Sequence, residues 1–225
     1  MKVYFLTRFS IYDPNFKGFV LTRNSKNPEQ YKKILFSQKR LDTKFNFFYK
    51  ITAKTILNQT HKNYKWLIFT SNLLPSKYKS KLNKLSSLYD AVEILYIDNF
   101  IQMWDILKNY DFEDDYATVR IDDDDGIHPY FTQRLQKYSS HKNTIISFTH
   151  GKKITLNTYG KILIGRRLIM KNRAQGMTGI GMNIYKCGNH TNVHERYKVI
   201  YDPFEAAFYI GCSNFCDTKR PFTPK

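Results

Sequence analysis

The 225-residue sequence is poor in the features that mark secreted or membrane-spanning proteins. It contains only three cysteines, too few for a disulfide framework, so a cytosolic location is expected. No apolar run approaches the roughly 18 residues that a helix needs to cross a bilayer. Residues 1–8 are typical of a short strand and lack the apolar core and cleavage site of a signal peptide. Hydrophobic residues make up 42%, enough for a sizeable buried core.

Carboxylates are missing from two long stretches of this basic chain. Residues 43–89 contain nine lysines and residues 126–194 contain eleven lysines or arginines, and neither stretch has an aspartate or glutamate. The formal net charge is +17, yet nine of the 19 acidic residues lie between Asp105 and Asp125. This distribution favours a polyanionic ligand together with a cation that lets it approach carboxylates. Nucleic acid, a nucleoside diphosphate and an anionic membrane surface all satisfy it.

Strand and helix patterns alternate over the first 150 residues. The predicted strands are residues 3–9, 64–70, 91–97, 117–121 and 144–149, and the predicted helices are residues 42–59, 75–88, 100–108 and 129–138. This alternation predicts an α/β fold with a mostly parallel central sheet flanked by helices. Such sheets bind their ligands beyond the carboxyl ends of the strands.

The last third of the sequence is less regular. Residues 153–156 and 161–164 flank the turn signal NTYG at 157–160 and predict a hairpin. A loop punctuated by three glycines precedes another predicted strand at residues 182–185. Because no change in composition marks a linker, we expect a single domain over residues 1–225.

The most informative stretch is RIDDDDG at residues 120–126, at the end of a predicted strand. Four adjacent carboxylates repel one another and are costly to bury without a cation. In an extended backbone Asp122 and Asp124 would face the same side and could jointly meet a sugar nucleotide and its metal. Mn²⁺ or Mg²⁺ suits such oxygen ligands. The alternative is a solvated acidic turn that caps the helix starting near Pro129.

The run at residues 121–125 resembles the DXD motif of GT-A glycosyltransferases, and the wider pattern resembles the rhamnosyltransferase family within them. The motifs that carry the resemblance are LTRF at 6–9, RL at 40–41, ILNQ at 56–59, WLIF at 66–69, LPSKY at 74–78, RID at 120–122 and GIH at 126–128. They span roughly residues 1–150.

The resemblance implies a metal-dependent hexosyltransferase that moves a sugar, rhamnose by the family likeness, from a nucleoside-diphosphate sugar to a hydroxyl of a glycan or lipid-linked acceptor with inversion. It implies a nucleotide-sugar-binding half at residues 1–125 and an acceptor-binding half at residues 126–225. Asp124 and Asp122 would hold the metal. The donor would contact Thr7, Arg8, Arg120, Asp122, Asp123 and Asp125, and further candidate cations are Arg166, Arg167, Lys171 and Arg173.

The general base that an inverting transfer needs is not resolved by the sequence. Asp202 and Glu205 are the candidate catalytic carboxylates, and His190 and His194 compete with them. A structural zinc site made of His190, His194, Cys212 and Cys216 is an alternative use of those histidines.

Two other classes of protein fit the charge. One is a basic nucleic-acid-binding module and the other a metal-dependent nuclease. Four acids at a strand end argue against a continuous phosphate groove, and a nuclease usually gathers carboxylates from several separated strands. We therefore expect no nucleic-acid partner. The net charge also predicts peripheral contact with an anionic membrane, at the inner membrane surface, where lipid-linked acceptors lie.

Overall fold

The computed structural model describes residues 1–18, 20–156, 162–188 and 190–212, and in this part of the chain nine strands form one sheet. The strands are β1 (Lys2–Phe9), β2 (Tyr64–Ser71), β3 (Val92–Ile97), β4 (Tyr116–Arg120), β5 (Asp125–Ile127), β6 (Thr144–Leu156), β7 (Ile162–Ile169), β8 (Thr178–Ile180) and β9 (Lys198–Cys212). The α-helices are α1 (Val20–Asn24), α2 (Pro28–Leu35), α3 (Gln38–Phe47), α4 (Lys54–Leu57), α5 (Ser76–Leu88), α6 (Phe100–Asn109) and α7 (Phe131–Leu135).

The strand order is β3-β2-β1-β4-β8-β6-β9-β5, and β7 pairs with β6. Strands β3, β2, β1 and β4 are parallel to one another, and β6 is parallel to β9. Strands β8, β5 and β7 run antiparallel to their neighbours. The mostly parallel α/β sheet predicted from the sequence is thereby confirmed.

Helices cover both faces of the sheet because β1 is apolar on both sides. Val3 and Phe5 pack in one core cluster with side chains of α3, whereas Tyr4 and Leu6 pack in a second cluster with side chains of α6. Successive residues of a strand point to opposite faces, so a strand buried on both faces reads as a continuous apolar run. This placement leaves the carboxyl end of β4 as the edge on which polar side chains gather.

One long helical segment lies beside that edge. It runs from Gln38 to Leu57, because a π-helical turn (Phe48–Ala53) joins α3 to α4. The helix predicted over 42–59 is therefore confirmed, but the segment begins four residues earlier than predicted. None of the helices in the described ranges is long and apolar enough to cross a membrane.

The predicted strand at residues 182–185 is wrong. The strand is β8, which begins four residues earlier, and a 3-10 helix (Ile184–Cys187) follows it. Gly181 has a φ of +63°, which ends the strand, and the side chain of Asn183 then caps the 3-10 helix by accepting from the Tyr185 amide at 3.0 Å.

Strand β6 is also continuous where two short strands were predicted, at 144–149 and 153–156. It pairs with β7 as the predicted hairpin requires, but the turn at 157–161 lies outside the described residues. Its parallel partner β9 contains Pro203, and the register between the two strands shifts on either side of His150. A proline cannot donate to a sheet ladder, so it is tolerated at such an irregularity.

Candidate active site

The four aspartates at residues 122–125, here called the aspartate loop, form a turn at the carboxyl end of β4. The Asp125 amide donates to the Asp122 carbonyl at 3.2 Å, and Asp125 then begins β5. The extended backbone expected from the sequence is therefore wrong at Asp123 and Asp124. Because the chain turns, Asp122 and Asp124 bind different cations in the protein and not a common one.

Asp122 is held by two arginines. Arg8, on β1, donates to one carboxylate oxygen at 3.0 Å, and Arg120, at the end of β4, donates to the other at 3.4 Å. Strands β1 and β4 are parallel neighbours, so both arginines reach the same edge. Burial opposes ionisation of Asp122, but Arg120 and Arg8 outweigh it and lower the pKa of this carboxyl.

The ring of Tyr185 supports both arginines. The guanidinium carbon of Arg8 lies 5.0 Å from the ring centroid and that of Arg120 lies 5.9 Å from it. The Tyr185 hydroxyl donates to the Leu6 carbonyl of β1 at 3.2 Å, which fixes the ring in place. An aromatic face next to guanidinium groups stabilises their charge and holds their planes.

Lys44 of α3 binds the other side of the aspartate loop. Its ammonium group lies 2.7 Å from an oxygen of Asp123 and 3.3 Å from an oxygen of Asp124. The side chains of Lys44 and Asp123 are only 5% and 7% exposed, so this is a buried ion pair. Burial raises the pKa of Asp123 to about 6, with Asp124 adding to the rise and Lys44 opposing it.

Asp125 is the most enclosed member of the loop. It is buried, and no hydrogen bond or ion pair to its carboxylate is found among the described residues. Burial, followed by the charges of Asp124 and Asp122, raises the pKa of Asp125 well above its usual value. Its environment thus favours the protonated carboxyl, which can donate a hydrogen bond where Asp122 can only accept.

Side chains from the long helical segment and from the residues just after it fix the residues that follow the loop. Thr55 accepts from the Ile127 amide at 3.2 Å, and Gln59 donates to the His128 carbonyl at 2.9 Å. At Gly126 an added Cβ would lie 3.1 Å from the Cγ2 atom of Ile51, so the helix packs closely against β5. The loop is therefore held at both ends.

A metal ion at the aspartate loop would need ligands from a bound diphosphate as well as from the protein. Among the described residues, Lys44 at 3.3 Å is the one polar contact of the Asp124 carboxylate, whose side chain is 20% exposed. Mg²⁺-type ions are commonly bound by one or two carboxylates together with substrate phosphates and waters. In the part of the chain that the structure describes, no group of three or more His, Cys, Asp or Glu side chains could hold a metal.

The two candidate bases differ in their surroundings. Asp202 is buried on β9 and accepts from Arg134 at 2.8 and 3.0 Å and from Tyr138 at 2.7 Å. Burial alone would raise the pKa of Asp202, but these hydrogen bonds outweigh burial, and the pKa lies below its usual value. Glu205 is 29% exposed and pairs with Lys152 at 3.0 Å. Only Glu205 therefore keeps an open side toward solvent.

The remaining predicted residues lie in varied places. Thr7 is fully buried, and its hydroxyl accepts from the Trp66 indole at 2.9 Å, which braces β1 against β2. Arg173 is buried, whereas Arg167 and Lys171 are exposed. The side chain of Arg166 lies outside the described residues.

The proposed zinc ligands are only partly described. His194 lies 3.1 Å from the Asn172 amide nitrogen, and burial, followed by the charge of Arg120, lowers the pKa of His190. Cys216 and the side chain of Cys212 lie outside the described residues, so the four-residue set stays a prediction.

Sequence reasoning missed Lys44 and Tyr185. Lys44 is the first lysine of the carboxylate-free stretch at residues 43–89 and lies one position before Phe45 on the predicted helix. Asp123 lies 79 positions further along the chain, and nothing in the sequence indicates that the two side chains meet. Tyr185 was expected within a strand, where its ring would not have been placed under two arginines.

The sheet, the helices on both faces and the polar edge at β4 define a GT-A-like glycosyltransferase fold, and solved structures agree. S. aureus TarS in complex with UDP superposes with a TM-score of 0.55 at 7% identity, over 94% of this chain and 61% of that chain. The TarS complex with UDP-GlcNAc superposes with a TM-score of 0.54 at 6% identity, over 94% of this chain and 59% of that chain. This chain thus spans about three fifths of those TarS chains, and no curated protein matches it.

The sequence itself is matched by a family model. The model described as "Putative rhamnosyl transferase" aligns with residues 2–223, and the chain belongs to this family. The resemblance found in the sequence over roughly residues 1–150 is confirmed and extends through nearly the whole chain.

Proposed function

We propose that this protein transfers a sugar from a nucleoside-diphosphate sugar to an acceptor hydroxyl at the aspartate loop. The observation that carries the proposal is the set of four aspartates at the carboxyl end of β4, held by Arg8, Arg120 and Lys44 in a GT-A-like fold. The TarS structures that share this fold are described as complexes with UDP and UDP-GlcNAc, which supports a nucleotide-sugar donor here.

Arg8 and Arg120 are the cations that would face the departing diphosphate. Guanidinium groups bind phosphate oxygens through paired N–H donors, and Tyr185 already holds these two in position. Asp122 would accept hydrogen bonds from donor hydroxyls, and Asp125, whose burial raises the pKa of its carboxyl, would donate one when protonated. The two guanidinium groups stabilise the negative charge that grows on the leaving diphosphate as the sugar–oxygen bond breaks.

Asp124 is the residue that would hold a divalent ion, Mn²⁺ or Mg²⁺. When bound, such an ion would neutralise charge on the diphosphate oxygens. Asp122 is less suited to the ion than predicted, because both its oxygens already accept from arginines.

Glu205 is the proposed general base for an inverting transfer. Phe208 of β9 is the register partner of Gly126, which follows the aspartate loop. Glu205 lies three residues before Phe208, which is about 10 Å along the strand. Its carboxylate lies 3.0 Å from the Lys152 ammonium group and is 29% exposed, so an acceptor hydroxyl can approach it from solvent. The four hydrogen bonds to Asp202 support a structural role for that residue, which ties β9 to α7 and the turn after it.

The family description supports rhamnose as the donor sugar. The proposed acceptor is a hydroxyl of a glycan or lipid-linked sugar. A panel of UDP-, dTDP- and GDP-sugars, each tested for thermal stabilisation and for slow hydrolysis with Mn²⁺, identifies the donor. We expect one nucleotide series to raise Tm and to release nucleoside diphosphate. Stabilisation by single-stranded oligonucleotides alone, with a steep dependence on salt, would contradict the proposal and favour a nucleic-acid-binding module.

A further inference from the structure

The hairpin formed by β6 and β7 places cations opposite one another. Lys152 is in register with Arg167, and Lys153 is in register with Arg166. Like charges directly opposite on neighbouring strands destabilise a sheet. Glu205 compensates Lys152, but Arg167 is exposed and forms no ion pair among the described residues. Arg167 is therefore the charge of this pair that an external anion would neutralise.

Large apolar side chains are exposed at the end of the same hairpin. Ile169 is 70% exposed and Met170 is 55% exposed, and they lie between Arg167 and Lys171, which are exposed as well. Exposed apolar residues flanked by basic residues are the combination that binds an anionic lipid surface, since the apolar groups enter the headgroup layer and the cations meet the phosphates.

The hairpin is connected to the aspartate loop through the sheet. Gly126 is in register with Phe208 of β9, Phe208 with Lys152 of β6, and Lys152 with Arg167 of β7. Neighbouring strands lie about 4.8 Å apart, so the strand of Arg167 lies about 14 Å from that of Gly126. A phosphate bound at the hairpin is therefore close enough to belong to an acceptor whose hydroxyl reaches the aspartate loop.

We infer that the β6–β7 hairpin, through Arg167, Ile169, Met170 and Lys171, docks this protein on an anionic membrane surface and so presents lipid-linked acceptors to the site. The role of the acceptor rests on the proposed function, whereas the membrane contact does not. The occupant is a layer of phosphate headgroups with apolar chains beneath it, because both kinds of side chain are exposed at one place.

Vesicle sedimentation tests this inference with two hairpin variants and two matched controls. The charge variant is Arg167→Gln/Lys171→Gln, and its control Lys33→Gln/Lys84→Gln removes the same charge from exposed positions on α2 and α5. The apolar variant is Ile169→Ser/Met170→Ser, and its control is Leu88→Ser/Ile101→Ser, at side chains that are also well exposed.

Each protein is sedimented with phosphatidylcholine vesicles that contain or lack phosphatidylglycerol. We expect the wild type to bind only the anionic vesicles, and both hairpin variants to bind them at least tenfold more weakly than their controls. Equal weakening in a variant and its control would overturn the inference, because binding would then follow net charge or general surface hydrophobicity. Binding of soluble polyphosphate is measured in parallel, with UDP present to fill the donor site. A wild type that binds polyphosphate but no vesicles would also overturn the inference.

The same samples separate this inference from the proposed function. Stabilisation by nucleotide sugar reports on the aspartate loop, and we expect it to be unchanged in the apolar variant Ile169→Ser/Met170→Ser, whose two side chains are not among the predicted donor contacts. Loss of vesicle binding with stabilisation intact supports docking by the hairpin. A wild type that binds vesicles through the hairpin but is stabilised by no nucleotide sugar would leave the docking surface standing and overturn the proposed function.

Discussion

At the scale of single residues, the aspartate loop is a set of four carboxylates in four different environments. Asp122 lies between two arginines, Asp123 is buried against Lys44, Asp124 is partly open, and Asp125 is enclosed without a cationic partner among the described residues. The sequence predicted that this run of acids follows a buried strand, and β4 confirms that position. It did not predict how the acids divide, since that depends on Lys44 and Tyr185, which are distant in the chain.

Asp124→Ala is expected to abolish the Mn²⁺-dependent part of nucleotide-sugar stabilisation and to abolish transfer. The carboxylate that would hold the ion is lost, while the Lys44–Asp123 pair that secures the loop remains. Differential scanning fluorimetry with and without Mn²⁺, and a nucleotide-release assay, measure the two effects. Asp114→Ala, at an exposed position, is the control. A purified Asp124→Ala variant with wild-type activity would remove the metal role.

Lys44→Met is expected to destabilise the protein by about 3–5 kcal/mol, because it leaves the buried Asp123 carboxylate without its cation. Chemical denaturation measures the change. Adding Asp123→Asn to this variant should restore part of the lost stability, since the remaining buried group is then neutral. If the double variant is no more stable than Lys44→Met alone, the ion pair is not what Lys44 contributes.

At the scale of elements, the strongly periodic segments were predictable and those set by tertiary contacts were not. Strands β1 to β4 and helices α5 and α6 match the prediction to within one or two residues at their ends. The helix α2 and the strands β5 and β9 were not predicted. Strand β9 contains Pro203, which argues against a strand in a sequence, and β5 is only three residues long. Pairing with β6 overrides the local signal.

The contact between β9 and α7 is expected to make stability depend on acid pH. The folded protein lowers the pKa of Asp202, so in acid the unfolded chain binds the proton more readily and stability rises with pH. The contribution of Asp202 to the free energy of unfolding is complete above the ordinary aspartate pKa of about 3.9. It is lost as the pH falls through the lower pKa that Asp202 has in the folded protein. Urea denaturation between pH 7 and pH 3, at values of about one unit apart, follows it.

Asp202→Asn is the matched variant for this measurement. It keeps the size of the side chain but removes the charge that Arg134 and Tyr138 bind. We expect lower stability at neutral pH and a shallower loss of stability below pH 4 than in the wild type. A wild-type slope in Asp202→Asn would mean that other carboxylates carry the acid sensitivity.

At the scale of the whole molecule, the net charge and the sheet topology have different effects. The net charge of +17 attracts phosphates over much of the surface, while the sheet brings the acidic focus and its three cations to one edge. The fold class was predictable from the alternation of elements. The order of the strands beyond β4 was not, because β5, β8 and β9 are joined by contacts between residues far apart in sequence.

The most direct test of the account is a crystal structure of the protein with Mn²⁺ and its nucleotide-sugar donor. The account predicts the diphosphate beside Arg8 and Arg120, the ion on Asp124, and Lys44 still bound to Asp123. A donor bound elsewhere, with the aspartates unchanged in their present ion pairs, would contradict it.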